Sequence, residues 1–418
     1  MMVNDSNPIV SIIVPARNEA ACLGACLESL INQTGIDYEI IVVDDDSTDC
    51  TAEIARSFVT TTGNGTPSSR AENRCDTVKG TAESRPLPVR GRAREDDASV
   101  SLTKAGASTV HVAAGVHVRP AVTVISSPPL SDDWTGKNNA MAAGATIAKG
   151  KWLLFTDADT VHKPGSLARA VEEAKEHGAD LLSYSPEQEV RTFWEKAVMP
   201  VIFAELAATF PPQAVNDPAS PIAAANGQYL MISRQTYDAV GGHHAIANDL
   251  LEDVAMARLV KSSGRRIFFR YGGDAVRTRM YSNFPQMKEG WTKNLALLFR
   301  HPVVLALLRS AEFVLILANL VIAIWAGVSG RSNLALQTSL LAIILGGWFG
   351  MRVRKAHFPA ASNLFAILGL PLFSSFLFRS IRSHQCRAVT WKGRKYGSIS
   401  TKTPDESRAG APSLSRRF

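Results

Sequence analysis

The sequence predicts an α/β domain that is followed by a membrane-embedded C-terminal region. Short apolar runs rich in β-branched residues alternate with amphipathic segments along the first 300 residues, as in a parallel sheet with crossover helices. Residues 313–330 and 334–351 then carry no charged side chain over 18 positions each. A helix of that length spans about 27 Å, close to the hydrocarbon thickness of a bilayer at about 30 Å.

The elements of the α/β domain follow from hydrophobic periodicity. A first strand (IVSIIV) stops at Pro15, and leucines at helical spacing then predict a helix that ends near Gln33. The other expected elements are strands at 39–43, 121–126, 151–156 and 180–185 and helices at 51–58, 137–148, 165–177, from Thr192 onward, and at 249–261.

Composition divides the chain into several parts. The stretch 60–118 is rich in Gly, Pro, Ser, Thr and mixed charge, and it holds too few large apolar residues to offset its ordering entropy. It therefore predicts a disordered insertion. The expected parts are a catalytic domain at 1–59 and 119–300, a membrane region at 301–380 with spans at about 311–330, 334–351 and 363–379, and a basic tail at 381–418.

The charge distribution predicts the orientation of the chain in the cell membrane. Residues 379–418 hold ten Arg or Lys and two acids, and the loop at 352–355 is also basic. Basic segments beside spans stay in the cytoplasm, so we expect a multi-pass protein with a cytoplasmic catalytic domain. Pro371 interrupts the third apolar stretch, which favours a re-entrant or interfacial segment. No folded basic patch accompanies the tail, which argues against a nucleic-acid partner.

The cysteines are 5 in number and lack metal-ligand spacing, which favours reduced thiols.

Acidic residues follow two of the expected strands. Asp44 and Asp45 come directly after one strand, and Asp157 and Asp159 come after another. If the two strands are parallel neighbours, the four carboxylates meet at one rim of the sheet, where α/β proteins bind ligands. An Asp-x-Asp pair suits Mg²⁺ or Mn²⁺, which accept phosphate oxygens as further ligands. Lys137 is placed to add positive charge there.

A third acidic group opens the helix near residue 252. Acids at a helix N-terminus commonly cap it, so Asp253 is either a capping residue or a general base for an attacking hydroxyl. The stretch 277–294 mixes basic and aromatic residues, and it is either an interfacial belt or a wall of the acceptor site. In the second case Trp291 and Glu252 contact the acceptor.

Six motifs, taken in order, resemble the membrane-bound family 2 glycosyltransferases, which have a GT-A nucleotide-diphospho-sugar transferase fold. The likeness is strongest to members that glycosylate carotenoid acids or accompany hopanoid synthesis, and WKGRKY at 391–396 is similar to their C-terminal signature. The motifs are PARNE (15–19), VDDDSTD (43–49), TGKNNA (135–140), TDAD (156–159), LEDV (251–254) and EGWTKN (289–294).

The resemblance implies an inverting sugar transfer from a nucleotide-sugar, with UDP as the expected carrier, to a lipid or hydrophobic acceptor. Asp157 and Asp159 would bring the divalent cation to the diphosphate, and Asp253 would deprotonate the acceptor. The implied nucleotide-sugar-binding residues are Arg17, Glu19, Asp44, Asp45, Lys137 and Asp157.

Several alternatives stay open at this point. A processive polysaccharide synthase carries Gln-x-x-Arg-Trp before its spans, whereas no Arg precedes Trp291 here. A polyprenyl-phosphate sugar transferase would share the fold. A non-catalytic nucleotide-binding membrane scaffold is disfavoured because both the Asp-x-Asp pair and the candidate base are present. A sugar-phosphate nucleotidyltransferase is disfavoured because no Gly-rich basic loop follows the first strand.

Overall fold

A seven-stranded mixed sheet forms the centre of the catalytic domain. The structure is a computed structural model that describes residues 8–59 and 120–396, and these belong to one compact unit. The strand order is β3-β2-β1-β4-β8-β6-β9. The strands are β1 (Val10–Ala16), β2 (Tyr38–Asp44), β3 (Ala121–Ser126), β4 (Trp152–Phe155), β6 (Leu181–Ser185), β8 (Leu230–Ser233) and β9 (Ile267–Tyr271).

The predicted α/β fold class is confirmed. The apolar runs lie in the sheet because both of its faces are covered, and β1 is buried over almost its whole length. β2 and β4 both pair with β1 in parallel, so they flank it and are not direct neighbours as the sequence analysis supposed. Their carboxyl ends still point to one rim.

One strand breaks the expected parallel pattern. β8 runs antiparallel to both β4 and β6. The chain leaves the sheet at the carboxyl end of β6 and returns at the same rim after residues 186–229. Because the chain re-enters the sheet at the edge where it left, β8 is antiparallel to β6. This places residues 226–228 at the rim.

Helices pack on both faces of the sheet. One core cluster places α1 and α4 against the sheet, and a second cluster places α3 and α8 on the other side. α1 buries Leu23, Cys26, Leu27 and Leu30, the helical stripe expected from the sequence. The helices of this domain are α1 (Leu23–Ile31), α2 (Thr51–Ser57), α3 (Gly136–Ile147), α4 (Ser166–Glu176), α6 (Pro212–Asn216), α7 (Arg234–Ala239), α8 (Glu252–Ser262) and α9 (Phe284–Leu298), with a 3-10 helix at Gly242–Ile246.

Two small sheets lie outside the central one. A three-stranded sheet has the order β5-β10-β7, and the last described residues form a hairpin of β11 and β12. The strands are β5 (Thr160–His162), β7 (Glu187–Gln188), β10 (Val276–Thr278), β11 (Thr390–Trp391) and β12 (Arg394–Lys395).

Within the described residues, four helical segments are long and apolar enough to cross a membrane. Three of them contain α10 (Pro302–Val328), α11 (Ser332–Val353) and α12 (Ala360–Gln385), where the sequence predicted apolar spans. The fourth, Phe193–Asn216, joins α5 (Phe193–Thr209) to α6 and was not predicted as a span. By length and composition the protein is membrane-associated.

The third apolar stretch is one unbroken helix. α12 continues through Pro371, so the expectation of a re-entrant hairpin is wrong. A proline inside a helix removes one backbone hydrogen bond, but neighbouring helices can hold the chain in helical form. α12 packs against α5, α9 and α10. An interfacial position for this segment stays a prediction.

A buried network of charges joins the apolar helices. Arg309 of α10 and Arg352 of α11 both contact Glu205 of α5, with N–O distances of 2.8 and 3.2 Å. Both arginines also contact Glu312, at 3.0 and 2.7 Å. Two acids balance two bases, so the network buries charge without a net excess.

Some predictions fall outside what the structure describes or differ from it. The insertion at 60–118 and residues 397–418 of the basic tail lie outside the described residues. Cys22, Cys26 and Cys386 are free thiols as expected, whereas Cys50 is disulfide-bonded.

Candidate active site

A cavity of about 390 Å³ opens at the carboxyl rim of the sheet. It extends from the ends of β1 and β4 to α5 and α9, so the catalytic domain and the apolar helices share it. Asp44 is the one predicted site residue outside its lining, and one of its carboxylate oxygens is buried without a partner. The predicted site residues that line the cavity are Arg17, Glu19, Asp45, Lys137, Asp157, Asp159, Glu252, Asp253 and Trp291.

Lys137 links the two acidic motifs of the rim. Its Nζ lies 2.7 Å from Asp157 Oδ1 and 2.6 Å from Glu252 Oε1. Burial lowers the pKa of Lys137, but the two carboxylates outweigh burial and raise it well above the usual value. Burial raises the pKa of Glu252, but the charges of Lys137 and Lys293 and the hydrogen bond from Lys137 outweigh burial and lower it. Lys137 is therefore fixed as a cation, and Glu252 is held as a carboxylate.

The position of Lys137 is set by the start of α3. Thr135 caps the helix by accepting a hydrogen bond from Asn138 N at 3.1 Å. The Asn138 amide donates to the carbonyl oxygens of Ile246 and Ala247 at 2.7 and 3.1 Å. These bonds tie α3 to the 3-10 helix that precedes α8, and so they bring TGKNNA next to LEDV.

Asp159 carries a carboxylate oxygen that suits a cation. Its Oδ1 is buried and has no hydrogen-bond partner among the residues that the structure describes. Burial raises the pKa of Asp159 to about 7, and the charges of Asp157 and Glu19 act in the same direction. In the described part of the chain no group of three His, Cys, Asp or Glu side chains could hold a metal. A cation here would take its protein ligands from the Asp157 and Asp159 pair and the rest from phosphate and water, which Mg²⁺ and Mn²⁺ readily accept.

Asp253 lies deep in the cavity, at the start of α8. Its Oδ2 accepts a hydrogen bond from Gly227 N at 2.9 Å, and its Oδ1 accepts one from Val254 N at 2.8 Å. Burial raises the pKa of Asp253 to about 6, and the neighbouring charge of Glu252 adds to the effect. The carboxylate is therefore oriented by two backbone donors, and its pKa is closer to neutrality than that of an exposed aspartate.

Gly227 leaves space for the Lys137–Glu252 ion pair beside Asp253. A Cβ at this position would lie 3.1 Å from Glu252 Oε1 and 3.2 Å from Lys137 Nζ. A larger residue would press on the ion pair, so the glycine of the Asn226–Gly227 turn has a steric role at the rim.

The β11–β12 hairpin closes the other side of the cavity, which the sequence analysis did not anticipate. Lys392 Nζ is bonded to Glu19 Oε1, and Arg394 clamps Asp45 with both guanidinium nitrogens. A Cβ at Gly136 would overlap the Arg394 guanidinium and the Asp45 carboxylate, so glycine leaves room for the clamp in this arrangement. The only sequence signal for this contact was the WKGRKY motif.

Arg17 supports the acidic loop after β2. Its Nη1 donates to the carbonyl oxygens of Asp45 and Asp46 at 2.6 and 3.1 Å. The guanidinium therefore fixes the backbone that carries the predicted nucleotide ligands, and it still lines the cavity.

The membrane side of the cavity is aromatic and apolar. Trp291 is buried, and its ring packs edge-on against Tyr281 and Phe203 with centroid distances of 6.0 and 6.2 Å. Tyr271 stacks on His357, which follows α11, at 4.1 Å. Trp291 Nε1 is buried and finds no hydrogen-bond acceptor within residues 8–59 and 120–396. The wall is continuous with helices that are long and apolar enough to cross a membrane.

Comparison with known proteins gives a family for this geometry. Residues 11–74 and 129–232 match the family model described as "Glycosyl transferase family 2". The chain is 24% identical over 414 residues to the 4,4'-diaponeurosporenoate glycosyltransferase of Staphylococcus aureus (strain USA300), across 94% of this chain and 90% of that protein.

Two solved structures are also similar. The mannosyltransferase PcManGT from Pyrobaculum calidifontis, in complex with GDP-Man and Mn²⁺, is 14% identical, with a TM-score of 0.44 over 91% of this chain and 87% of that one. S. aureus TarS 1-349, in complex with UDP-GlcNAc, is 13% identical, with a TM-score of 0.36 over 90% and 91%.

The matched segments include the predicted rim residues from Arg17 to Asp159, and the similarity to the S. aureus protein extends through the apolar helices. This chain is a glycosyltransferase that is similar to glycosyl transferase family 2, with a mixed α/β domain followed by helices that are long and apolar enough to cross a membrane.

Proposed function

We propose that the protein is an inverting glycosyltransferase that moves a sugar from a nucleotide-sugar to a hydrophobic, lipid-type acceptor at the membrane. The observation that carries the proposal is the single cavity that joins the acidic rim to an aromatic wall built on apolar helices. A polar donor fits the acidic rim of such a cavity, and an apolar acceptor fits the aromatic wall.

The donor lies at the rim in this proposal. Glu19 and Asp45 face the nucleotide, with the loop held by Arg17. UDP is the carrier expected from the family resemblance. Asp157 and Asp159 hold the divalent cation, which on binding would neutralise part of the diphosphate charge. Lys137 adds a fixed positive charge beside the same group.

The acceptor approaches along the wall formed by Trp291 and Phe203. Asp253 takes the proton from its hydroxyl, and the oxygen attacks the anomeric carbon from the face opposite the leaving diphosphate. Glu252, held as a carboxylate by Lys137, lies next to the base. The S. aureus relative is named for a carotenoid acid, so a hydrophobic acceptor that ends in an oxygen nucleophile is the class to examine first.

The proposal places the catalytic domain in the cytoplasm and the apolar helices in the cell membrane, following the basic loop at 352–355 and the basic residues after α12. It also assigns single transfers, because the Gln-x-x-Arg-Trp motif of processive synthases is absent from the sequence around Trp291.

The test is the incubation of membranes that contain the protein with a panel of labelled nucleotide-sugars, followed by lipid extraction. We expect one donor to label one lipid product and a metal chelator to prevent it. A ladder of products would favour a processive synthase. Label in a polyprenyl phosphate would favour a polyprenyl-phosphate sugar transferase. Nucleotide binding with no lipid label for any donor would favour a scaffold.

A further inference from the structure

Lys293 is a cation of the cavity wall that forms no ion pair with another residue of the described chain. It lies on α9, it lines the cavity, and its Nζ lies 5.4 Å from the ring centroid of Trp391. Within residues 8–59 and 120–396, no carboxylate lies within ion-pair distance of this Nζ. Burial lowers the pKa of Lys293. Partly buried ammonium groups normally have an anionic partner, so the site is incomplete as it stands.

The other cations near the rim differ in this respect. Lys137 has three N–H donors and directs its charge at two carboxylates. Lys392 and Arg394 each face an acid of the rim. Lys293 retains its hydrogen-bond donors for a group that enters the cavity.

The surroundings of Lys293 favour one class of anion. Lys293 lines the same cavity as Glu252, Lys137 and Asp157. The main chain at Lys293 is fixed, because its carbonyl oxygen is 2.8 Å from His384 Nε2 of α12. A ligand that carries two phosphates has to enter between these acids, and it needs positive charge that the acids do not already neutralise.

We propose that Lys293 binds the diphosphate of the donor and stabilises the nucleoside diphosphate as it leaves. This inference rests on the proposed function. In the transfer, the bond from the anomeric carbon to the diphosphate oxygen breaks, and its electron pair stays on that oxygen. The acceptor oxygen bonds to the carbon, and its proton passes to Asp253. The Lys293 ammonium faces the oxygen that gains charge, and it stabilises the product more than the bound donor.

The first test compares a nucleoside diphosphate with the corresponding monophosphate on the purified full chain in detergent. A Lys293→Met variant should bind UDP about 10- to 100-fold more weakly than the wild type, the loss expected for one charge-assisted hydrogen bond, and should bind UMP equally well. Lys293→Arg should recover most of the difference. Lys288→Met is the matched control, because Lys288 is on the same helix and does not line the cavity.

A second measurement uses the wild-type protein, so it does not depend on the folding of a variant. Reductive methylation read by mass spectrometry should show that UDP protects Lys293, that UMP does not, and that Lys288 is labelled equally in both cases. If Lys293 is labelled equally with and without UDP, or if Lys293→Met changes only the KM for the acceptor, the assignment is overturned. A wild type that transfers no sugar and binds neither UDP nor GDP would instead overturn the proposed function.

Discussion

Asp253→Asn is the substitution that tests the proposed chemistry most directly. Asparagine keeps the size of the side chain but cannot accept a proton from the acceptor. A positioned general base contributes about 10²- to 10⁴-fold to a rate, so we expect kcat to fall by at least about 100-fold. Nucleotide binding should persist, because Asp253 contacts Gly227 N and Val254 N and is assigned no role toward the donor.

The same substitution has a structural cost that must be separated from the chemical one. Each carboxylate oxygen of Asp253 accepts one backbone N–H bond, whereas an amide offers one oxygen and one NH₂ group. One backbone donor is therefore left unpaired, which costs about 1–3 kcal/mol of stability. Asp180→Asn is the matched control: its two oxygens accept from Thr236 Oγ1 and Arg266 N, both at 3.0 Å, away from the cavity.

The assay is the initial rate of lipid labelling between about pH 5 and pH 8, with thermal unfolding measured on the same samples. The base acts in its deprotonated form, and burial raises the pKa of Asp253 to about 6. Wild-type activity should therefore be constant above that pH and fall about tenfold per unit below it. Asp253→Asn should lose both the activity and this acidic limb, whereas Asp180→Asn should lose stability alone.

Retention of near wild-type rates by Asp253→Asn would refute the assignment of the base. It would indicate an acceptor that arrives already ionised, as a carboxylate does at neutral pH.

Four further outcomes are expected. Lys137→Met should lower the transfer rate by about 100-fold, because it removes preorganised charge beside the diphosphate; a rate within a few-fold of wild type would contradict this. Chelation of divalent cations should stop sugar transfer, and added Mg²⁺ or Mn²⁺ should restore it. Asp159→Asn should raise the cation concentration at which half of the activity returns. Transfer that continues in the presence of a chelator would count against a role for the cation. Glu205→Gln leaves two buried arginines with one carboxylate fewer and should lower the free energy of unfolding by about 3 kcal/mol, seen as a lower melting temperature in detergent; an unchanged melting temperature would show that the network contributes nothing. Arg394→Ala should speed hydrogen exchange in residues 389–396, because it removes the clamp on the rim; unchanged protection would mean that the hairpin is held elsewhere.

The parts of the fold that depend on local pattern could be predicted from the sequence. The strand that ends at Asp44 was recognised from a β-branched run and the one that precedes Asp157 from a short run of Trp, Leu and Phe, and the carboxyl ends of parallel strands necessarily share a rim. The meeting of these acids with Lys137 followed from that rule. The local pattern could not show that β1 lies between β2 and β4 or that β8 is antiparallel to its neighbours, since both features depend on the path of the whole chain.

Long-range contacts account for the rest. Arg394 and Asp45 are 349 positions apart, and nothing local to either residue indicates the other. The segment Phe193–Asn216 was expected to be helical but was not predicted as a span, because Glu195 and Glu205 interrupt its apolar run. The charges of these two acids are balanced by arginines elsewhere in the chain. Pro371 was interpreted through its usual effect on an isolated helix, whereas α12 is packed along its length.

The hairpin that follows α12 has a practical consequence for anyone who works with this enzyme. Because Lys392 and Arg394 complete the wall around Glu19 and Asp45, a shortened chain that ends before α10 would lack one side of the cavity at the rim. Removing the apolar helices to gain solubility would thus remove the contacts that cover Glu19 and Asp45. Expression and assay of the full-length polypeptide in detergent or nanodiscs is the sounder strategy.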